Sequence, residues 1–181
     1  MSRQRLATLG AVAIMSAACG AAMPPSYASS LSPKGAETKV LPAFKRPTID
    51  GASFDTASAR GKVTVVKFFA KYCVPCKATL PWFEQFAQEN PKVAVVGIAE
   101  DERESDVREL VDTYKLTFPV VHDTGNALSG RFRVSDLPTT FVADAAGRIR
   151  WVGGPGQTEA ELEAAVSASS TPLASPAEPS R

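Results

Sequence analysis

The sequence predicts an α/β fold: one compact domain on a central mixed β-sheet, with helices on both faces and a short β-hairpin in front. Three observations predict it. Two short apolar runs, Val63 to Phe69 and Val93 to Ala99, read as strands buried on both faces. Segments of helical period alternate with strand-like segments along the chain, the order that builds a sheet covered by helices. The 181 residues are 44% hydrophobic and 22% charged, enough apolar material for one core with extensions.

Each element follows in order. Ile49-Asp50-Gly51-Ala52 is a turn signal, which predicts a hairpin from Phe44 to Phe54. The Val63 to Phe69 strand leads into a helix over Cys76 to Gln88, with apolar residues at helical spacing and a bend at Pro81. The Val93 to Ala99 strand comes next. Ser105 is the expected cap of a helix that ends near Tyr114. Val120-Val121 is a short strand, and Ala127 to Phe132 a helix. Thr139 to Ala143 and Arg148 to Val152 form a hairpin around Asp144-Ala145-Ala146-Gly147. Glu159 to Val166 is the last helix.

The ends differ from this domain. Arg3 and Arg5 precede an uncharged run from Leu6 to Ala18, followed by small residues, the pattern of an export signal. A retained membrane anchor is the alternative, but the run to Met23 is rich in Ala and Gly and barely long enough to span. Two processing outcomes compete. Ser16-Ala17-Ala18-Cys19 resembles a bacterial lipobox, with Ser16 where an aliphatic residue is usual, and would lipidate Cys19. Ser26-Tyr27-Ala28 before Ser29 is an ordinary cleavage site. Lipidation accounts for the odd cysteine and is the reading preferred. Residues 1–28 are thus an export segment, 29–38 a flexible linker, 39–167 the folded domain, and 168–181 a Ser/Pro/Ala tail unable to build a core.

The net charge is +1, and without the first 28 residues it is −1. No basic excess points to nucleic acid, and membrane contact is expected only through the N-terminus. Of three cysteines, Cys73 and Cys76 are too close in sequence to restrict the unfolded chain much, so the pair suits chemistry better than stapling. Cys73-Val74-Pro75-Cys76 follows a buried strand and opens a helix. Unpaired N–H groups and the helix dipole favour negative charge there. Cys73 is therefore the expected nucleophilic thiolate, and Cys76 the less exposed sulfur that resolves a mixed disulfide. Pro75 lacks an N–H that the first turn would leave unpaired. Half of a zinc site is the competing reading; it lacks ligands, since His122 is the sole histidine.

The stretch VVKFFAKYCVPCKATLPWFEQF resembles the thioredoxin superfamily, in particular its TlpA-like exported branch. Leu137-Pro138-Thr139-Thr140-Phe141 is similar to that family's cis-proline segment, Pro81 to its helix-kinking proline, and FDTASARGKV to its lead-in before the first core strand. The resemblance spans about residues 40–166. It implies a thioredoxin fold with an N-terminal hairpin extension, a cis Pro138 beside the sulfurs, and substrate peptide pairing with the backbone at Leu137, with Thr139 alongside. It implies no cofactor beyond the Cys73–Cys76 pair. The partners are protein thiols or disulfides and an envelope or membrane electron donor or acceptor, and the location is the bacterial periplasm. The chain departs from the pattern at Phe69 and Tyr72, where tryptophan is usual, at Thr79, where the cytochrome-maturation reductases carry Glu, and at Lys67, where thioredoxin has a buried Asp.

Lys67 interrupts an apolar strand. The preferred reading packs its stem and lets its amine reach solvent, since buried charge is costly; the alternative is a cation that stabilises a cysteine thiolate, with Tyr72 and Pro75 as further tuning groups. His122 is expected in a surface loop, Glu100 to Glu104 as a solvated charged loop, and Trp82 and Phe83 as core or substrate-facing surface. The leading function is thiol–disulfide exchange, in a direction that Val74-Pro75 does not set. A redoxin-type peroxidase and a membrane-tethered binding or metal-delivery module are the alternatives.

Overall fold

The computed structural model describes residues 39–170. The export segment with Cys19, the whole linker and the tail beyond residue 170 lie outside them. Among the described residues, strands β1 (Lys45–Pro47) and β2 (Ser53–Asp55) form an antiparallel pair. They are followed by β3 (Thr64–Phe69), α1 (Val74–Glu89), β4 (Ala94–Ala99), α2 (Glu104–Tyr114), β5 (Val120–His122), a 3-10 turn (Thr124–Asn126), α3 (Ala127–Phe132), β6 (Thr139–Ala143), β7 (Ile149–Gly153) and α4 (Glu159–Ser170). The main sheet runs β5-β4-β3-β6-β7, parallel from β3 to β5 and antiparallel at β6 and β7. β3 is central, and all six of its residues are buried.

Alternation along the strands divides the core in two. Val65 and Phe69 of β3, with Val95 and Ala99 of β4, meet Leu80, Phe83 and Phe86 of α1, Val107 and Leu110 of α2, and Leu162 and Val166 of α4. Val66 and Phe68, with Val96 and Ile98, face Leu128 and Phe132 of α3. That second face has only one short helix. The N-terminal segment completes it with Leu41 and Phe44, and the Phe44 ring stands edge-on to Phe132 at 6.0 Å. The same segment covers both sheet margins: Leu41 N–H donates to Gly147 O and Ile49 N–H to Val120 O, each at 2.8 Å. The N-terminal segment thus joins the core through Leu41 and Phe44 and guards the sheet edges, while β1 itself stays exposed.

Several expectations are corrected. α1 begins at Val74 because Cys73 is its N-cap, and it continues past Pro81 to Glu89. Ser105 does not cap α2. That helix starts at Glu104, Arg103 stands at the cap without a side-chain bond, and Arg103 instead pairs with Asp106 at 2.9 Å; Glu104 and Asp106 place negative charge in the first turn, where the dipole favours it. α4 runs to Ser170, beyond the expected end at Val166, and Ser169 and Ser170 in its last turn donate their hydroxyls back to Ala165 O and Val166 O. His122 is the last residue of β5 rather than a loop residue, and its Nε2 donates to Asp101 O at 2.7 Å.

Candidate active site

β3 delivers the chain into the short link Ala70-Lys71-Tyr72 and then to Cys73, whose N–H donates to Ala70 O at 3.1 Å. Cys73 has extended backbone angles, and its sulfur accepts the N–H of Cys76 at 3.1 Å. A sulfur thus occupies the position where helices usually carry a Ser, Thr or Asp oxygen. On reduction the same N–H and the helix dipole favour the Cys73 thiolate over the thiol. Val74 and Pro75 form the first turn. Cys73 and Cys76 are joined as a disulfide with Cα atoms 5.2 Å apart. Cys73 keeps 7% exposure and Cys76 none, so an incoming sulfur meets Cys73 first.

The antiparallel pairing of Phe68 with Thr139 brings the start of β6 to the same end of the sheet as Cys73. The Leu137–Pro138 bond is cis. Thr139 is buried and donates its hydroxyl to Asp136 O at 2.6 Å, while Leu137 packs against the cluster that contains both cysteines. The structure therefore gathers Cys73, Cys76, Tyr72, Pro75, Leu137, Pro138 and Thr139 at the C-terminal end of β3. Tyr72 and Val74, 67% and 74% exposed, stand on either side of Cys73 in sequence.

Lys67 contradicts the snorkelling expectation. It has no exposed surface, because β4 and β6 flank it and α1 covers it, and its amine lies over the rings of Phe83 and Trp82. Burial lowers its pKa to about 7. Phe83 is core, and Trp82 is half-buried beside it.

The charged loop after β4 is not simply solvated either. Asp101 is buried and accepts the Lys71 N–H through both carboxylate oxygens, at 2.9 and 3.2 Å. Lys71 Nζ reaches Asp106 at 2.9 Å and Glu109 at 2.5 Å. Together these bonds hold the link that precedes Cys73. Burial pushes the Asp101 carboxyl up, against the lowering effect of the Lys71 N–H. Glu100 is also raised by burial while it accepts from Ser129 Oγ at 2.6 Å. Both carboxylates hold the Tyr72 hydroxyl above its ordinary value, after partial burial as the larger cause, so Tyr72 is a neutral neighbour of the sulfur. The sequence carried no signal for Asp101, because its partner lies 30 positions away. Asp101→Ala leaves the Lys71 N–H without its acceptor and should lower the unfolding free energy by about 1–3 kcal/mol. Urea denaturation measures this, and an unchanged midpoint would show that the clamp contributes nothing.

A redox-active disulfide at a helix start, one sulfur accessible and one sealed, with a cis-proline segment at the same end of the sheet, is the site of a thiol–disulfide oxidoreductase. Over residues 38–152 the sequence matches the AhpC/TSA family, and the chain belongs to that family of thioredoxin-like proteins. It is 31% identical over 131 residues to the thioredoxin-like protein YneN of Bacillus subtilis, covering 70% of this chain and 76% of that one. To the thiol-disulfide oxidoreductase ResA of Bacillus cereus it is 29% identical over 129 residues, covering 69% and 73%. Among solved structures, a secreted Mycobacterium tuberculosis disulfide oxidoreductase homologous to E. coli DsbE superposes with a TM-score of 0.64 at 32% identity, covering 69% of this chain and 95% of that one.

Proposed function

We propose that the protein exchanges disulfides with other proteins in the bacterial cell envelope. The observation that carries this reading is the surface around Cys73. Of the three large hydrophobic side chains that are exposed among the described residues, two, Tyr72 and Val74, are its sequence neighbours. Exposed apolar surface at a reactive sulfur suits a protein partner better than a small polar substrate.

In the reducing direction, the Cys73 thiolate attacks a substrate disulfide and forms a mixed disulfide. Cys76 then attacks Cys73 Sγ, the Cys73–Cys76 bond forms, and the substrate leaves with two electrons. The oxidising direction runs through the same intermediate in reverse. Leu137 offers backbone pairing to the substrate segment, Pro138 has no N–H to compete for it, and Thr139 anchors the turn through Asp136. Pro75 shapes the first helical turn between the sulfurs. Residues 1–28 serve export to the periplasm, with Cys19 as the lipidated anchor, 29–38 as the tether, and the residues beyond α4 as a tail. An envelope or membrane donor or acceptor resets the cysteine pair. The secretion of the mycobacterial relative supports export.

The test compares substrates. Supplied with a dithiol, the protein should reduce the disulfides of insulin, and its rate with hydrogen peroxide should be far lower. Peroxide consumption that outpaces insulin reduction would replace this reading with the peroxidase one.

A further inference from the structure

Two buried side-chain atoms among the described residues have no hydrogen-bond partner: Lys67 Nζ and Gln157 Oε1. One is a donor and the other an acceptor, and both adjoin Thr140. Lys67 of β3 pairs with Gly97 on β4 and Thr140 on β6, and Thr140 pairs with Gly153 on β7. These four form a row across the sheet whose side-chain positions share one face. Gln157 donates Nε2 to Thr140 Oγ1 at 2.8 Å, and a Cβ on Gly153 would strike Gln157 Oε1, so the amide rests on this row.

The face is the one covered by α1. Lys67 Nζ lies 4.9 Å from the centre of the Phe83 ring and 5.3 Å from that of Trp82. Cys76, Leu80 and Phe83 form one buried stripe of α1. The Cys76 and Phe83 backbones are seven residues apart, a rise of about 10 Å along α1, and the amine lies against the Phe83 ring in the core cluster that also holds both cysteines. Among the described residues no ionisable side chain pairs with the amine, and the phenol of Tyr114 on α2, half-buried against the same core, is the other titratable group that packs there. β4 and β6 carry no ionisable side chain. On α1 the buried Glu84 is committed to Thr117 N–H and Oγ1 and to Gln88 Nε2. α2 turns Val107 and Leu110 to this core and α4 turns Leu162 and Val166, while Glu159, Glu161 and Glu163 are not buried.

We propose that Lys67 is a redox-linked charge: its buried amine takes up a proton when the Cys73–Cys76 disulfide is reduced and releases it when the disulfide re-forms. The proposal rests on the exchange reading above. The reduced protein holds a Cys73 thiolate, a Cys76 thiol and a Lys67 ammonium. It gives two electrons to a substrate disulfide, the Cys73–Cys76 bond forms, and the substrate leaves as two thiols that take one proton from Cys76 and one from Lys67. The thiolate attracts the ammonium through a medium that screens it weakly. The Phe83 and Trp82 ring faces favour the charged amine, and Gln157 Oε1 is an unpaired acceptor resting on the same row. In the disulfide form the amine titrates at about 7, where a modest added field changes its charge under working conditions.

Lysine side-chain carbon-13 NMR of the protein, in disulfide and dithiol forms, tests this directly. Lys67 should titrate about one pH unit higher in the dithiol form, the shift expected for unit charges about 10 Å apart in a protein interior. Glutathione equilibration gives the reciprocal measurement. At about pH 6.5 the Lys67→Met variant should favour the dithiol roughly tenfold less than the parent, and the two should converge above about pH 9, where the amine is neutral in both forms. An identical Lys67 midpoint in the two redox forms overturns the proposal, as does a Lys67→Met variant with the parent's pH profile. Failure of the parent to reduce insulin would instead overturn the exchange reading, so the two failures are separable.

Discussion

Cys73→Ser should abolish insulin reduction, with a loss on the order of a thousandfold or more, since a nucleophile and its partner act as a unit. A serine hydroxyl stays protonated at the helix N-terminus where a thiol ionises, and it cannot form the mixed disulfide. Cys76→Ser should behave differently. Cys73 remains the accessible sulfur, at 7% exposure against none for Cys76, so the first attack proceeds. The second does not, and the substrate stays bound through sulfur. Non-reducing electrophoresis should show this adduct with Cys76→Ser and not with Cys73→Ser. The reverse pattern would mean that Cys76 is the attacking sulfur, against the burial and the capping geometry.

Lys67→Met should stabilise the fold. Methionine has similar length and no charge, and it keeps contact with Phe83 and Trp82. The parent keeps an amine without a hydrogen-bond partner in the core. Its pKa falls from 10.5 to about 7 on folding. The unfolded chain therefore binds the extra proton between those values, and stability rises with pH across that window. The penalty is complete below about pH 7 and gone above about 10.5, with a full size on the order of 4–5 kcal/mol. Urea unfolding should show the variant more stable by several kcal/mol near neutral pH, with the difference closing toward pH 10. A variant less stable than the parent at pH 7 would mean that the rings, or a partner such as Gln157, offset the desolvation of the amine. The comparison matters for function, because it measures what the buried lysine costs the fold, a cost that the proposed redox linkage would have to justify.

The fold was legible where signals are local. Apolar runs marked β3 and β4 to within one residue, and the bounds of α3 and β6 coincide with the expected ones. The turn signal at Asp50-Gly51 sits where the hairpin reverses, with Gly51 at a φ of 88°. The cysteine motif carried its own chemistry, since a strand, a tight link and a helix start follow from neighbouring residues. Capping was harder. Ser105 is a good cap by type, yet Arg103 holds the position because the ion pairs with Asp106 and the link to Lys71 fix where the turn begins.

The sequence by itself determined the α/β order of elements, the pair of reactive sulfurs and their placement at the start of a helix, because each depends on residues a few positions apart. Tertiary structure alone decided three things. It set the β3–β6 register that carries the Leu137-Pro138-Thr139 segment to the end of the sheet where Cys73 stands, and so packed Leu137 against the cysteine cluster. It buried Asp101 against the Lys71 N–H, which steadies the link before the sulfur. And it sealed Lys67, since a lysine stem can reach water only from an edge strand or an uncovered face, and β3 is the centre of a sheet that α1 covers on one side and α3 with the N-terminal segment covers on the other.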